Sequence, residues 1–266
     1  MNETNNPISI SVVIATKNGS KHIASALKNV LAQDYATGLK TRDALEIIVV
    51  SDGSTDATVD IVRDIADKDA RIKLLVLAKN IGPGLARNAG VRLAEGEFIA
   101  FLDDDDLWLD TNKLKNQSLY LASNPRVVAV GSSKAEYKNE KTGLVKEVSF
   151  EKDWQHIYKN MLSRNPLLTS ATMLKKAAFE RVGGFNALYL AEDYDLWVRM
   201  GLIGEIQNID GAKTLYLVRM SSASRSRKVS MYWNIFKLGI KYRKSYPSAY
   251  KGTAKRIRRV LASVFK

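Results

Sequence analysis

Residues Glu97 to Trp108 read Glu-Phe-Ile-Ala-Phe-Leu-Asp-Asp-Asp-Asp-Leu-Trp. The apolar run Phe98 to Leu102 has the length and composition of a buried strand, and it ends directly in the four carboxylates Asp103 to Asp106. Open α/β sheets bind ligands at the carboxyl ends of their strands, and carboxylates placed there are hard oxygen ligands suited to Mg²⁺ or Mn²⁺. The stretch therefore predicts a cation site at a strand end. A solvated Asp-rich turn that caps the next helix is the alternative.

The composition is that of an ordinary globular protein. The 266 residues are 45% hydrophobic and 26% charged, which fits one large domain or one domain with an appendage. There is no cysteine, which excludes disulfides and thiolate metal sites. The polar start lacks the apolar core of a signal peptide, and no apolar run approaches the length that spans a bilayer. We therefore expect a cytoplasmic protein.

The net charge of +13 is concentrated at the C-terminal end of the chain. No Asp or Glu follows Asp210, whereas residues 211–266 contain fifteen Lys and Arg. A basic segment of this kind attracts polyanions such as a membrane surface, nucleic acid or a phosphorylated substrate.

The same segment has the pattern of amphipathic helices. Within Lys251 to Lys266, apolar residues recur at helical spacing with basic residues between them, and Trp233 to Tyr246 repeats the mixture. We expect residues 229–266 to bind an anionic membrane surface. An ordinary helix packed on the body is the alternative, and nucleic acid is disfavoured because no base-reading module accompanies the charge.

Strand-like and helical patterns alternate through residues 8–131, with successive strands about 25 residues apart. The strand-like runs are Ile8 to Ala15, Leu45 to Val50, Ile72 to Leu77, Phe98 to Leu102 and Val127 to Val130. This alternation predicts a doubly wound α/β fold with a parallel sheet. It says where a ligand would bind but not which reaction follows.

Residues 132–228 have a different pattern. Ala135 to Phe150 predicts a hairpin, and short strands are predicted at Thr169 to Leu174 and near Ile206 and Leu215. Because no low-complexity linker separates the halves, we expect the second half to share the sheet of the first.

Three strand ends meet at one edge if the sheet is parallel. They carry Thr16 and Asn18, then Asp52, and then Asp103 with Asp105. Each also has a simpler interpretation, since an Asp-Gly-Ser-Thr sequence such as the one that starts at Asp52 is good turn chemistry.

Two further motifs could contact a ligand. Gly82-Pro83-Gly84, followed by Arg87 and Asn88, could cradle a diphosphate through backbone amides and a guanidinium. Its glycine spacing differs from the dinucleotide fingerprint, and no phosphate-loop Gly-Lys-Ser/Thr occurs, which argues against a nicotinamide enzyme and a phosphate-loop NTPase. The segment Ala191 to Trp197 opens a helix with three acids. Acids in the first turn of a helix interact favourably with the helix dipole, and this effect alone could explain their presence.

Five motifs occur in order between residues 8 and 225. They are Val12 to Asn18, Val50 to Asp56, Ala86 to Gly90, Gly96 to Asp106 and Glu192 to Trp197. Together they resemble a family 2 glycosyltransferase of the inverting kind with the GT-A fold. The resemblance implies a single doubly wound, Rossmann-like GT-A domain with a mixed central sheet over residues 1–228. Within it, residues 8–131 would form the nucleotide-sugar-binding half and residues 132–228 the acceptor-side half, followed by a basic helical tail at 229–266.

The resemblance also implies roles for single residues. It assigns the nucleotide-sugar pocket to Thr16, Asn18, Asp52, Arg87, Asp103 and Asp104. Asp52 would face the uracil edge, and Arg87 would lie near the nucleotide or its diphosphate. Asp103 and Asp105 would be the ends of the Asp-x-Asp motif, with Asp105 the direct ligand of Mn²⁺ or Mg²⁺. Asp193 would be the catalytic base.

The chain departs from the family pattern at two positions. Ser51 stands where members often carry a first Asp. Met220 occupies the place of a late metal-binding His, and a thioether is a poor ligand for Mg²⁺ or Mn²⁺. The third metal contact is therefore open, and Arg219 or Arg225 could hold the phosphates instead.

We therefore expect a metal-dependent inverting glycosyltransferase that uses a nucleotide-sugar, expected to be a UDP-sugar. The acceptor would be a hydroxyl of a glycan or lipid-linked molecule in cell-surface polysaccharide synthesis, at the inner face of the plasma membrane. The Gln-x-x-Arg-Trp signature of processive synthases is absent, which favours one sugar per acceptor.

Two points stay open at this stage, and a further enzymatic alternative is disfavoured. The chain could form a homo-oligomer. It could also be a catalytically inactive protein that binds sugar-nucleotides or polyanions. A sugar nucleotidyltransferase would need a basic glycine-rich loop after the first strand, and Thr16 to Gly19 is too short for one.

Overall fold

The computed structural model describes residues 8–37, 44–187, 190–219 and 228–247. Its strands are β1 (Ile10–Thr16), β2 (Leu45–Asp52), β3 (Ile72–Leu77), β4 (Phe98–Phe101), β5 (Leu107–Trp108), β6 (Val127–Ser132), β7 (Lys134–Asn139), β8 (Val145–Ser149), β9 (Met173–Lys175), β10 (Glu205–Ile209) and β11 (Thr214–Val218). A seven-stranded sheet has the order β10-β6-β9-β4-β1-β2-β3. β9 is antiparallel to both of its neighbours, and the other pairs are parallel. The predicted mixed central sheet is therefore confirmed.

Helices cover the sheet. They are α1 (Ile23–Leu31), α2 (Asp34–Thr37), α3 (Thr58–Ala66), α4 (Pro83–Leu93), α5 (Lys113–Ser123), α6 (Trp154–Asn160), α7 (Lys176–Arg181), α8 (Glu192–Met200) and α9 (Lys228–Lys241). Successive residues of a strand point to opposite faces, so Val13 of β1 belongs to one hydrophobic core while Val12 and Ile14 belong to another. Two buried cores, one on each face, explain why the strands are apolar at nearly every position.

Helix α4 lies close to the sheet because Gly90 faces it. A Cβ atom at Gly90 would come within 2.6 Å of Val13 Cγ1 and 3.0 Å of Val50 Cγ2. Only glycine allows this approach without moving β1 and β2. The close packing holds Arg87, one turn earlier on α4, near the carboxyl edge of the sheet.

Strands of the second half of the chain belong to two sheets, and not only to the predicted shared sheet. β6, β9 and β10 do join the central sheet, but β5, β11, β7 and β8 form a separate four-stranded sheet in that order. The predicted hairpin is present as the antiparallel pair β7–β8. The expectation of one shared sheet was therefore wrong for these strands, because β11 pairs with β5 and β7 instead of continuing from β10.

The prediction of a strand from Thr169 to Leu174 was only partly right. Thr169–Ala171 form a 3₁₀ turn, and β9 begins at Met173. The backbone N–H of Ala171 donates to the carbonyl of Leu168 at 3.0 Å, which closes the turn. The turn brings Ser170 to the end of β4, next to the aspartate run.

The segment after residue 228 packs on the body as far as it is described. Leu238, Tyr242 and Tyr246 are buried in one of the two cores. The Tyr246 hydroxyl donates to the carbonyl of Val198 on α8 at 2.7 Å. Residues 228–247 therefore do not form a tail separate from the body. They match the alternative stated above, a helix that packs on the body. The predicted helix from Lys251 to Lys266 lies outside the described residues.

Across the described ranges, no helix has both the length and the apolar content needed to cross a membrane.

Candidate active site

The aspartates that follow β4 each have a different partner. Asp103 accepts a hydrogen bond from Arg87 Nη2 at 2.5 Å, and Asp104 accepts one from the Thr16 hydroxyl at 2.5 Å. Gly19 makes room for the second contact, because a Cβ atom there would collide with Thr16 Oγ1 and Asp104 Oδ2. The ends of β1 and β4 therefore meet, as the sequence predicts, and α4 reaches the same point through Arg87.

The next two aspartates connect the strand end to the second sheet. Asp105 Oδ2 lies 2.6 Å from Arg219 Nε, just after β11. Asp106 accepts hydrogen bonds from the Ser170 hydroxyl at 2.5 Å and from the Leu217 N–H at 2.9 Å. Asp104 and Asp106 are buried, whereas Asp103 and Asp105 are half-buried. The alternation leaves the two ends of the Asp-x-Asp motif on the more open side.

Burial and mutual repulsion make the cluster electrostatically costly. Burial, with the charge of Asp103, raises the pKa of Asp105 to about 7, although Arg219 opposes the shift. Burial and the same Asp103 charge hold the pKa of Asp106 well above its usual range. Burial also raises the pKa of Asp104. A divalent cation placed here would offset this repulsion and favour the carboxylate forms.

Two residues assigned to the nucleotide pocket have partners within the protein. Asp52 accepts hydrogen bonds from the backbone N–H groups of Ile81 at 2.7 Å and Gly82 at 2.9 Å, so it fixes the loop that starts α4. Asn18 has a positive φ of 54°, and its Oδ1 accepts from the Thr55 N–H at 2.8 Å. Both residues shape the carboxyl edge of the sheet, and their contact with a nucleotide stays a prediction.

Asp193, in the first turn of α8, is held from two sides. Asn165 Nδ2 donates to Asp193 Oδ2 at 3.0 Å, and the Tyr194 N–H donates to Oδ1 at 2.7 Å. Burial raises the pKa of Asp193, and burial together with the Asp193 charge raises the pKa of Glu192. Burial disfavours the charged form of Arg87, but the negative charges of Asp103 and Glu192 outweigh this effect and raise the pKa of Arg87. A fixed carboxylate with a raised pKa is a candidate general base.

A cavity of about 750 Å³ opens beside these groups. Arg87, Asp103, Glu192 and Asp193 line it, and the structure therefore brings three of the predicted site residues into one space. Its other walls come from β7, β8, β11, α9 and residues 163–169. The predicted residues that do not line it are Thr16, Asn18, Asp52, Asp104 and Asp105. The cavity thus extends from Asp103 and Asp193 towards the second sheet, away from the predicted nucleotide pocket.

The donor set fits a hard divalent cation with few protein ligands. Within the described ranges, no group of three or more His, Cys, Asp or Glu side chains is arranged to hold a metal. Mg²⁺ commonly binds through one or two carboxylates together with substrate phosphates and water, and Asp103 and Asp105 could supply that number. Met220 and Arg225, considered above for the third contact, lie outside the described residues.

Sequence reasoning missed several residues of the site. Asn165, Ser170, Tyr137 and Tyr216 come from segments without a recognisable motif, and only the fold brings them to the aspartates. Arg219 was considered as a phosphate contact, but its ion pair with Asp105 had no sequence signal.

Solved structures with the same architecture are glycosyltransferases. A mannosyltransferase from Pyrobaculum calidifontis, solved with GDP-Man and Mn²⁺, has a TM-score of 0.71 at 20% identity, covering 96% of this chain and 70% of its own. S. aureus TarS 1-349, solved with UDP-GlcNAc, also has a TM-score of 0.71 at 21% identity, covering 96% and 73%. At this level of identity the likeness shows the fold, which is GT-A.

Similarity in sequence extends over most of the chain. An Escherichia coli UDP-Glc:α-D-GlcNAc-diphosphoundecaprenol β-1,3-glucosyltransferase is 30% identical over 220 residues, covering 82% of this chain and 80% of the relative. An uncharacterized glycosyltransferase of Haemophilus influenzae is 28% identical over 231 residues, covering 87% and 84%. The model of the glycosyl transferase family 2 matches residues 11–183. The chain therefore belongs to glycosyl transferase family 2 and is a glycosyltransferase.

Proposed function

We propose that the protein is a metal-dependent inverting enzyme that transfers one sugar from a nucleotide-sugar, of the UDP-sugar type, to an acceptor hydroxyl. The observation that carries the proposal is the placement of Asp193 on the same cavity as Asp103 and Arg87. A base and a phosphate-binding end in one space suit a reaction that removes a proton and releases a diphosphate.

The reaction would proceed by a single displacement. The acceptor oxygen attacks the anomeric carbon, and the bond from that carbon to the diphosphate breaks. The electron pair of that bond leaves on the diphosphate oxygen, and the hydroxyl proton passes to Asp193. The products are the glycosylated acceptor and the nucleoside diphosphate. Attack from the face opposite the leaving group inverts the anomeric configuration, as in inverting glycoside hydrolysis.

The chain's own residues would position these groups. Asn165 and the Tyr194 N–H hold the Asp193 carboxylate in one orientation, which preorganises the base. Arg87 would contact the diphosphate, because it lines the cavity and its guanidinium lies beside Asp103. Mn²⁺ or Mg²⁺, held by Asp105 and Asp103, would stabilise the charge that develops on the leaving diphosphate. Thr16, Asn18, Asp52 and Asp104 would complete the donor side.

We further propose a lipid-linked or glycan acceptor used at the inner face of the plasma membrane, in cell-surface polysaccharide synthesis. The Escherichia coli relative is named for a diphosphoundecaprenol-linked acceptor, which supports this class. Helix α9 offers a surface for docking. Trp233 is 49% exposed and Ile240 is 43% exposed, and Lys237 and Lys241 of the helix and Lys244 just after it are exposed as well. Exposed aromatic and basic residues on one helix face favour an anionic bilayer surface.

A donor screen tests the proposed function. The full chain is incubated with Mn²⁺ and a panel of UDP-, GDP- and dTDP-sugars, and release of nucleoside diphosphate is measured with and without EDTA. We expect slow hydrolysis of one UDP-sugar that EDTA abolishes. Binding of a donor without hydrolysis, and without transfer to membrane lipid extracts, would instead identify an inactive sugar-nucleotide-binding protein. Metal-independent turnover would remove the metal from the proposal.

A further inference from the structure

The guanidinium of Arg87 is held by a single hydrogen bond among the described residues. Its Nη2 donates to Asp103 Oδ1 at 2.5 Å, whereas its Nε is buried and has no hydrogen-bond partner there. One hydrogen bond does not fix the plane of a guanidinium, unlike a bidentate pair. An inference about what fixes this plane rests on the proposed function, because that function uses Arg87 to contact the diphosphate.

The second contact of Arg87 is the aromatic ring of Phe185. The central carbon of the guanidinium lies 5.6 Å from the centre of this ring, within the range of a cation–π contact. Both side chains are buried, and such a contact is stronger where water is excluded. The contact does not involve Asp103, so it remains available while Asp103 serves a cation.

The Phe185 ring is itself held by two neighbouring rings. Its centre lies 5.4 Å from that of Phe101 and 5.6 Å from that of Phe179, and both pairs are edge-to-face. Phe101 is the last residue of β4, two positions before Asp103. The ring that contacts Arg87 therefore packs against the strand that carries the aspartates.

The backbone of Phe185 is fixed by Asn88, the chain neighbour of Arg87. The Phe185 N–H donates to Asn88 Oδ1 at 2.8 Å, and Asn88 Nδ2 donates to the Phe185 carbonyl at 2.7 Å. Gly184 permits this approach, because its φ is +66° and a Cβ atom there would lie 2.6 Å from Asn88 Oδ1. Helix α4 thus supplies both the guanidinium and, from the next residue, the lock on the ring beside it.

The loop that bears Phe185 is also tied to α8. Arg199 of this helix donates from Nη1 to the carbonyl of Val182 at 2.6 Å and from Nη2 to that of Gly184 at 2.7 Å. The first turn of the same helix carries Asp193. The loop therefore connects the helix of the phosphate-binding guanidinium to the helix of the proposed base.

We propose that Phe185 is a positioning residue for the transfer reaction: its ring fixes the plane of the Arg87 guanidinium on the cavity wall, and Asn88 fixes the ring. Phe185 acts only through Arg87, because its own side chain is buried and does not line the cavity. Without the ring, the guanidinium is free to turn about its bond with Asp103, which weakens its contact with a diphosphate.

A double-mutant cycle tests this role. UDP is titrated by calorimetry, in the presence of Mn²⁺, into the full chain carrying Phe185→Leu, Arg87→Met or both. We expect Phe185→Leu to weaken UDP binding about three- to tenfold, since a cation–π contact is lost. In the Arg87→Met background the same substitution should change the affinity less than about twofold, because the group that the ring positions is already absent.

Phe179→Leu is the matched control. Phe179 belongs to the same aromatic cluster and is 4% exposed, but no cation among the described residues lies over its ring. This variant should lose thermal stability as Phe185→Leu does and bind UDP like wild type. If Phe185→Leu does not fold, Asn88→Ala takes its place in the cycle with the same expected outcome, since it removes both hydrogen bonds to the Phe185 backbone from a half-buried position.

Two results would overturn the proposal and leave Phe185 as a core residue only. They are wild-type affinity for UDP in Phe185→Leu, and an equal loss of affinity in both backgrounds. Equal affinities of wild type and Arg87→Met would instead contradict the proposed contact of Arg87 with the diphosphate, and the inference with it. A wild type that binds no UDP would contradict the proposed donor class. The failure of the inference and the failure of the proposed function are therefore distinguishable.

Discussion

Arg219 Nε lies 2.6 Å from Asp105 Oδ2, so an arginine already neutralises the carboxylate that the sequence assigns to the metal. The Arg219 side chain is 33% exposed and that of Asp105 is 9% exposed. Arg219 is therefore the more exposed partner of the ion pair, and it lies between solvent and a nearly buried carboxylate. A metal ion that binds Asp105 must compete with this guanidinium, and Arg219 would then be available to the donor phosphates.

Removing the competing arginine should strengthen metal binding in the absence of nucleotide. For Arg219→Gln we expect Mn²⁺ affinity to rise about two- to fivefold, since a partly exposed ion pair contributes modestly. Electron paramagnetic resonance of free Mn²⁺ during a titration gives the affinity directly. Unchanged or weaker Mn²⁺ binding by a folded Arg219→Gln protein would show that Arg219 does not compete for Asp105.

The metal assignment itself depends on Asp105. Asp105→Ala should abolish Mn²⁺-dependent binding of UDP, because the cation loses its direct protein ligand. Isothermal titration with UDP in the presence of Mn²⁺ and of EDTA measures the metal-dependent part. Asp64→Ala, on the exposed face of α3, removes one carboxylate elsewhere and should behave as wild type. Undiminished metal-dependent binding by Asp105→Ala would remove this residue from the metal site.

Much of the fold could be predicted because its signals are local. β3 was predicted from Ile72 to Leu77 and has those bounds, since a short apolar run between polar turns is typical of a strand. The aspartate run at the end of β4 was found for the same reason. The contact of Thr16 with Asp104 follows from parallel pairing, which brings the ends of β1 and β4 to one edge.

The parts that sequence could not predict depend on long-range contacts. β5 has two residues, and its pairing with β11 joins segments about a hundred positions apart, as in Trp108 with Thr214. The hydrogen bond from Asn165 to Asp193 likewise links residues with no shared motif. Helix α9 was read as a basic tail because its charges are visible in sequence, whereas burial of Leu238 and Tyr246 depends on the surface it meets.

The exposed face of α9 should bind anionic membranes. We expect wild type to sediment with vesicles that contain phosphatidylglycerol and to be released by high salt, since each Lys near such a surface contributes about 1 kcal/mol. Replacing Lys237, Lys241 and Lys244 by Gln should reduce sedimentation. Truncation after Ser230 is unsuitable, because it removes the buried Leu238, Tyr242 and Tyr246.

A matched variant separates charge from position. The control replaces Lys138, Lys141 and Lys146 by Gln. These three lysines are exposed on the β7–β8 hairpin, so the control makes the same change in charge on a different surface. If both triple variants sediment like wild type, or if wild type ignores the vesicles at low salt, α9 is not a membrane-binding face.

The fully buried Lys113 predicts an unusual dependence of stability on pH. Its Nζ donates to Gln117 Oε1 at 2.6 Å and lies 4.2 Å from the centre of the Trp108 ring. Burial lowers its pKa to about 7, whereas the unfolded chain binds this proton up to about pH 10. Between these values the unfolded state holds more protons, so the free energy of unfolding rises with pH.

Lys113→Met should remove this dependence. We expect the free energy of unfolding of the variant to exceed that of wild type most near pH 7. This difference should shrink by about 1.4 kcal/mol per pH unit towards pH 10. Urea unfolding of both proteins at pH 7.5 and 9 measures the difference. If the difference in free energy of unfolding between the variant and wild type is the same at both pH values, Lys113 stays charged in the folded protein.

Transfer by Asp193→Asn, measured with the donor found in the screen, tests most directly whether Asp193 is the catalytic base. The amide keeps the shape of the side chain but cannot take the acceptor proton, so kcat should fall about 10²- to 10⁴-fold while donor affinity stays unchanged. Asn165 and the Tyr194 N–H hold the wild-type carboxylate, and a circular dichroism melt confirms that the variant is folded. Turnover within a few-fold of wild type would contradict the assignment and pass the role to Glu192, the other carboxylate of α8 on the cavity wall.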